Sequence, residues 1–486
     1  MPERYHIHTK VKPGRFHRVG KFGGVDFRED CARCSECVKP HCNYDVYEHE
    51  TAHNRNPSAA RQPLYECKAC FSCVQGCTKG LLSLSINPEY LDMGDEYWNP
   101  DIIFSTWVQA DMGKIPVSGA GYRGPFHGPG FDSIWTDMSE IVRPTRDGIH
   151  GREYISTSVD IGPKPMRLCF FPDGKMITPP SNLLEIPIPI ILDIPAWPVS
   201  QAGIALARAK AARDLGTVAV LFAEDVERVP ESDLASVVPI INAEDVPKHQ
   251  DLIKKTSRMV QLLDGPEIEA TVYKIKEIKP QTIFSIRLTL HPDTAGRVAE
   301  LSRKGFKVFH LCADKHGCER IGPGEPGRHI KDVLREIHGR LVKEGFRDEV
   351  TLITSGGIAL AEHMAKAIIC GSDLVAVDTA LLVSLGCRVC RDVHSLLIDG
   401  TDRKSTKSLH RFCPVDSAVK DIRYAAQRMV NLMGAWHSQL IEVLGAMGIR
   451  EVRRLRGEVG RAIFMEEIEK EAFGDLDRVP LQQAGV

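Results

Sequence analysis

The sequence predicts an α/β protein whose largest part is a parallel (β/α)8 barrel over residues 185–415, with a small cysteine-rich α+β module before it and a helical extension after it. Three observations predict this. From residue 185 onward, short apolar runs alternate with amphipathic stretches, the pattern of strands buried on both faces and of the helices that cover them. About seven such units fall within about 200 residues, which favours a closed barrel over an open doubly wound sheet. Ahead of them, eight cysteines crowd between positions 31 and 77, a density that points to a separate module. The expected division is an arm over 1–24, the cysteine module over 25–92, a linking and wrapping segment over 93–184, the barrel over 185–415 and the helical extension over 416–486.

Apolar runs at 186–194, 218–222, 237–241, 282–288, 308–312, 350–354 and 374–377 read as the barrel strands. Helices are expected at 200–215, 294–304, 330–342, 359–370 and 380–385; in the third, Ile330, Val333, Leu334, Ile337 and Leu341 recur at helical spacing. Residues 1–24, with His6, His8 and His17, read as an extended, solvated arm. The glycines over 119–130 have no strand leading into them and no helix directly after them. They therefore lack the context of a dinucleotide loop and read as linker. Residues 141–153 are dense in polar side chains and read equally as a substrate or cofactor loop or as a salt-bridged crossover.

The 486 residues are 43% apolar, enough for a large core, and the net charge is −2, which argues against a dedicated nucleic-acid or basic membrane-surface binder. No stretch reaches the apolar length of a membrane span. Fifteen cysteines without an apolar leader point to metal binding in a reducing compartment, so a cytoplasmic location is expected.

The cysteines read Cys31, Cys34, Cys37 and Cys42, then Cys67, Cys70, Cys73 and Cys77. Each set is a C-x2-C-x2-C run with a fourth cysteine after a short gap, so a tight loop aims three thiolates at one cluster and the fourth at another. Zinc and disulfides are the alternatives; zinc sites usually take two separated pairs and fit triplets poorly. The stretch over 25–92 resembles the bacterial two-cluster ferredoxin module, which implies two [4Fe–4S] clusters and an α+β ferredoxin-like fold. It departs from that pattern in having four residues before Cys42 and no proline after Cys42 or Cys77.

Two later motifs lie at expected strand-to-helix junctions: Ser355-Gly356-Gly357 and, one unit on, Asp378-Thr379. In (β/α)8 barrels the loops after strands seven and eight often hold a phosphate, and glycine lets the backbone approach it. An ordinary tight turn is the competing reading. After them come Leu385-Gly386-Cys387, Cys390 and, beyond an insertion, Cys413-Pro414-Val415. In this order the motifs resemble the synthase domain of glutamate synthases, a flavin-binding (β/α)8 barrel, with the similarity running over about 185–470.

That resemblance implies FMN, its phosphate held at Ser355, Gly356, Gly357, Asp378 and Thr379, and a third iron–sulfur cluster beside it. Cys387 and Cys413 match the first and third cluster cysteines. The middle one falls on Val393, so Cys390 is the candidate substitute, with Cys312 and Cys318 as further sources of a ligand. Where the family has a lysine near the flavin ring this chain has Arg287, whose fork differs in shape and holds its proton. Asp193 and Glu224, at the ends of the first two expected strands, are the other catalytic candidates. The family's Gly- and Lys-rich 2-oxoglutarate segment is replaced by the short stretch from Asp264 to Lys274, and no N-terminal catalytic cysteine with a glutaminase domain is seen.

Three functions are therefore expected in competition. The first is an FMN- and iron–sulfur-dependent oxidoreductase passing electrons between flavin and clusters, as a subunit of a larger redox complex or a homo-oligomer. The second is a ferredoxin-dependent glutamate synthase core using ammonia from another chain. The third is a non-catalytic electron-wiring subunit. Each implies an electron-transfer partner, either ferredoxin or an NAD(P)H-oxidising flavoprotein subunit.

Overall fold

The computed structural model describes residues 5–16, 18–32, 34, 40–43, 70–115, 124–125, 127–136, 154–165, 168–177, 182–195, 202–321, 327–390 and 413–474. Strands β1 (Phe22–Phe27) and β2 (Leu82–Ile86) pair antiparallel and bracket the cysteine module, with helix α1 (Ser72–Gly76) just before β2. Strands β3 (Ile134–Thr136), β4 (Val159–Ile161) and β5 (Leu184–Ile186) follow, separated from the module by helix α2 (Pro100–Met112). The next eight strands are β6 (Ile190–Leu192), β7 (Ala219–Phe222), β8 (Val237–Ile240), β9 (Met259–Leu263), β10 (Ile283–Thr289), β11 (Val308–Cys312), β12 (Thr351–Ser355) and β13 (Leu374–Val377). They close into one barrel, each beside its chain neighbour, β13 meeting β6, and every pair parallel.

Parallel strands inside a ring of helices have no solvated face, so they read as apolar runs. Strands β11, β12 and β13 are buried at every position. The covering helices include α3 (Ala202–Leu215), α4 (Ile268–Ile278), α5 (Thr294–Arg303), α6 (Ile330–Lys343) and α7 (Ala361–Ile369). In α6 the apolar residues expected at helical spacing, Ile330, Val333, Leu334, Ile337 and Leu341, are the buried face.

Three expectations are corrected. The run over 186–194 is two strands, because Pro187 and Pro189 cannot donate to a ladder. Its first part belongs to β5, which pairs antiparallel with β4, and only 190–192 is the barrel's first strand. Strand β9 was not among the expected strands; its polar Gln261 interrupts an otherwise apolar run, and it is the eighth strand that closes the barrel. The arm is anchored over 5–16 although most of its residues stay exposed. Asn431 accepts from Lys10 N at 3.0 Å and donates to Lys10 O at 2.6 Å, Tyr424 Oη donates to Pro13 O at 3.0 Å, and Arg15 N donates to that same hydroxyl at 2.9 Å.

These anchors stand on α9 (Ile422–Ala446), which follows the short helix α8 (Thr379–Ser384). Asp421 caps α9 by accepting from Tyr424 N at 3.1 Å, and Trp436, Met429 and Met433 bury its inner face in the same core as the barrel. The C-terminal extension is thus an integral layer of the fold. Strand β14 (Ala462–Phe464) pairs antiparallel with β3. Among the described residues no helix is long and apolar enough to cross a membrane.

Candidate functional site

The C-terminal ends of the barrel strands gather a buried polar cluster. Asp193 follows β6, Gln261 sits in β9, Arg287 in β10, and His310 and Cys312 in β11. Arg287 grips Asp193 with both fork nitrogens, at 2.9 and 3.0 Å, and its Nη1 also donates to Gln261 Oε1 at 3.0 Å. Gln261 Nε2 then donates to His310 Nδ1 at 2.8 Å. With Nδ1 accepting, the imidazole carries its proton on Nε2, 3.5 Å from Asp193 Oδ2 and without a hydrogen-bond partner among the described residues.

Asp193, Gln261 and His310 are fully buried, and burial sets the directions of titration. Burial opposes ionisation of Asp193, but the guanidinium of Arg287 outweighs it and holds the carboxyl well below the usual carboxylate range. The same pairing keeps Arg287 charged against its own desolvation. His310, desolvated beside that cation, is pushed down to about 3 and stays neutral. Asp193, His310 and Cys312 lie close enough together to suggest a cation site. The Arg287 cation already on Asp193, and a His310 whose accepting nitrogen is taken, make them a poor one.

The structure therefore brings together two of the three catalytic candidates, Asp193 and Arg287. Glu224 is exposed at the start of the Ala223–Val226 helix, outside the buried cluster. His310 and Gln261 were not anticipated. The signal was available: each is a polar side chain in the middle of an apolar barrel strand, which is tolerated when the side chain has a buried partner.

Beside this cluster, Ser355 ends β12 and its register partner Ala376 lies in β13, so the loops that follow emerge side by side. Gly356 and Gly357 adopt φ of +91° and +69°. A Cβ on Gly356 would strike Asp314 O, and one on Gly357 would lie 2.7 Å from Gly317 Cα, so only glycine fits. Gly356, Gly357 and Ile358 are buried and their amides find no acceptor among the described residues; Thr379, just past the neighbouring strand β13, is buried as well, its hydroxyl beside the Asp378 carboxyl. Buried N–H groups are rarely left without an acceptor, so these amides have the chemistry of an anion cradle.

Asp378 is the dissonant member. Its carboxyl accepts from Thr379 N, yet burial, with Asp193 adding, pushes it up to about 7 against that hydrogen bond and Arg287. It therefore holds a proton over much of the range below neutrality.

Of the cysteine module, Cys31, Cys34, Cys42, Cys70, Cys73 and Cys77 are described and none of them is in a disulfide; Cys37 and Cys67 lie outside the described residues. Cys77 Sγ accepts from Leu81 N at 3.4 Å, and that amide leads the group lowering its pKa. Backbone and side-chain bonds from Ser72 lower Cys70. Amides aimed at sulfur favour thiolate, the form a cluster requires. Cys413, despite the insertion before it, returns to Cys387 and Cys390: burial pushes Cys387 up to about 12, with the charges of Cys413 and Cys390 adding. Cys312 lies instead beside Arg287 and Ser355, and Cys318 against Asp314 and Glu319. Val393 and His394 are outside the described residues.

Residues 324–450 match the family model described as the conserved region in glutamate synthase. Across the whole chain, the archaeal-type glutamate synthase (NADPH) of Dehalococcoides mccartyi is 23% identical, covering 89% of this chain and 93% of its own length. The archaeal glutamate synthases (NADPH) of Archaeoglobus fulgidus and Methanocaldococcus jannaschii are 22% and 26% identical, covering 93% and 78% of this chain and 96% and 84% of theirs. The recombinant flavin-binding domain of baker's yeast flavocytochrome b2 overlaps 76% of this chain and 84% of its own at 11% identity, with a TM-score of 0.40, a likeness too low for inference. The chain is thus similar along most of its length to archaeal-type glutamate synthases, and the matched region includes the Gly356 loop, Asp378 and all three thiols of the Cys387 group.

Proposed function

We propose that the chain is an FMN- and iron–sulfur-dependent oxidoreductase of glutamate synthase type, passing electrons between a flavin in the barrel mouth and cysteine-held clusters. The observation that carries this reading is the set of amides without an acceptor among the described residues at buried Gly356, Gly357 and Ile358, on the loop that emerges beside the end of β13, where Asp378 and Thr379 follow. Those groups, with Ser355 and Asp378 beside them, would hold the FMN phosphate. When bound, FMN supplies two-electron exchange with an organic substrate and one-electron exchange with clusters.

The chain's own groups prepare the mouth for such chemistry. Arg287 is a fixed, partly buried cation, which favours negative charge developing nearby. Asp193 and Gln261 orient its fork, and neutral His310 presents an N–H rather than a second charge. Asp378 can hold or release a proton at its carboxyl near pH 7. The eight cysteines from Cys31 to Cys77 would hold two [4Fe–4S] clusters in an N-terminal ferredoxin-like domain over 25–92. Cys387, Cys390 and Cys413 would hold a third iron–sulfur cluster beside the barrel. A cytoplasmic enzyme working with an electron-transfer partner belongs to the same proposal.

Anaerobic purification with iron, sulfide and flavin quantified together tests it. About one flavin per chain is expected, with about eight irons from the module alone and about eleven or twelve with the third cluster. Flavin-free, colourless protein after loading with FMN would sink the reading. The similarity to proteins named glutamate synthase favours a second, narrower form. Glutamate formed from 2-oxoglutarate, ammonium and a reduced donor would establish it; flavin turnover without glutamate would exclude it.

A further inference from the structure

We infer that residues 89–98, the stretch that leaves the cysteine module, form a strap that sets the amide cradle at Gly356 and Gly357, with Tyr97 as its positioning residue. The consequence for flavin rests on the function proposed above; the strap itself does not. Just past β2 the chain makes its first crossing at the thiol group. Glu89 pairs with Arg388 at 3.6 Å, and Gly94 N, on a residue of φ +71°, donates to Arg388 O at 3.0 Å, between Cys387 and Cys390.

Asp95 then ties two elements at once. Its Oδ1 accepts from Tyr97 N and Trp98 N at 3.0 and 2.8 Å, while Oδ2 accepts from Lys315 Nζ and His316 Nε2 at 2.7 and 2.8 Å in the loop after β11. Trp98 Nε1 donates to Lys315 O at 2.8 Å. That loop backs the cradle, since Gly317 lies against Gly357.

Tyr97 makes the decisive contact. Its ring is buried and stacked on His329 at 6.1 Å, and its hydroxyl donates to Gly357 O at 2.5 Å. His363 also lies 3.2 Å from that oxygen. Its Nδ1, however, accepts from Ala359 N at 3.2 Å, and its Nε2 donates to Asp132 at 2.7 Å, which leaves Tyr97 as the donor to Gly357 O. A trans peptide is planar, with C=O and the following N–H pointing in opposite directions. Pinning Gly357 O from behind therefore aims Ile358 N–H the other way, into the cradle.

Hydrogen exchange decides the strap on the full-length protein. Tyr97→Phe keeps the stacked ring and is expected to raise deuterium uptake at residues 355–359 with iron content unchanged; Asp95→Asn, acting through the 315–317 loop, should raise it less. Unchanged uptake at 355–359 in both variants overturns the inference. Flavin titration then reads the consequence: Tyr97→Phe should weaken FMN about tenfold, the size of one buried hydrogen bond, and leave riboflavin, which has no phosphate, unchanged. Parallel loss of both flavins means general loosening and overturns the positioning role. Wild-type protein that takes up neither flavin overturns the proposed function, while exchange still decides the strap.

Discussion

Arg287, inside strand β10, and Asp193, at the barrel mouth, form an ion pair at 2.9 Å. Removing the cation alone would strand a buried carboxylate, a change that typically costs about 3–5 kcal/mol. Arg287→Ala should therefore lower the melting temperature markedly, and adding Asp193→Asn should recover part of the loss. Equal melting temperatures for the single and double variants would mean the carboxylate was never desolvated. Asp378 has the opposite sign. Its folded pKa, about 7, lies above the unfolded carboxylate value near ~3.9, so the folded state binds the extra proton between those values. Its penalty is absent at low pH, grows as pH rises and is complete above about 7. Asp378→Asn should accordingly raise the melting temperature by a few degrees at pH 8 and by little at pH 4. A gain of equal size at both would contradict the buried acid.

At the scale of elements, the long helix α9 is the surface on which the arm, α2 and α3 meet. Arg428, buried within it, donates to Ser384 O and Lys12 O and pairs with Asp111 of α2, so one side chain joins helix, arm and the end of α8. Asn431 adds bonds to Lys10 and to Ala110 O at 2.9 Å. Asn431→Ala is predicted to release the arm, seen as faster proteolytic cleavage within residues 5–16, and to cost about 1–3 kcal/mol for the groups left unpaired. Cleavage at the wild-type rate would show that Tyr424 and Arg15 suffice. The loop joining α8 to Cys390 is held by Arg388 and enters the same core, and Gly386, at φ +106°, lets Phe16 of the arm pack against it. If Cys413 completes a third cluster there, Cys413→Ser should remove about three or four irons per chain and leave about eight; loss of all iron would instead tie this thiol to the module's stability.

For the whole molecule, buried neutral histidines set the acid response. Burial depresses His310 and His329 to about 3, and His338 and His437 to about 4. Their unfolded values lie near ~6.5, so below that pH the unfolded chain binds protons the folded one refuses, and stability falls as pH drops toward about 4. Asp378 works in the reverse direction over the same window, but as one group against four. The melting temperature should therefore fall steadily from pH 7 to pH 4.5, and a flat profile would show that these imidazoles reach solvent.

Seven of the eight barrel strands were legible in the chain because a parallel barrel buries its strands on both faces, which forces apolar runs at fixed spacing. The same logic exposed the glycine pair at 356–357, where only a residue without a Cβ fits between crossing loops. Cysteine spacing likewise carries the expectation of a cluster module, since ligand geometry for a cluster is local. What the chain could not announce was partnership across distance. Gln261 lies in the barrel strand that was not expected, yet it is the link between Arg287 and His310, and nothing in its neighbours names either partner. Asp193 and Arg287 stand 94 residues apart, and Tyr97 and Gly357 stand 260 apart. Barrel closure makes the first pair adjacent, because it turns eight strand ends toward one mouth, and the docking of residues 95–98 on the loop after β11 makes the second. Local chemistry is written residue by residue; which buried donors are left for a bound anion is decided only once every other donor has found its acceptor.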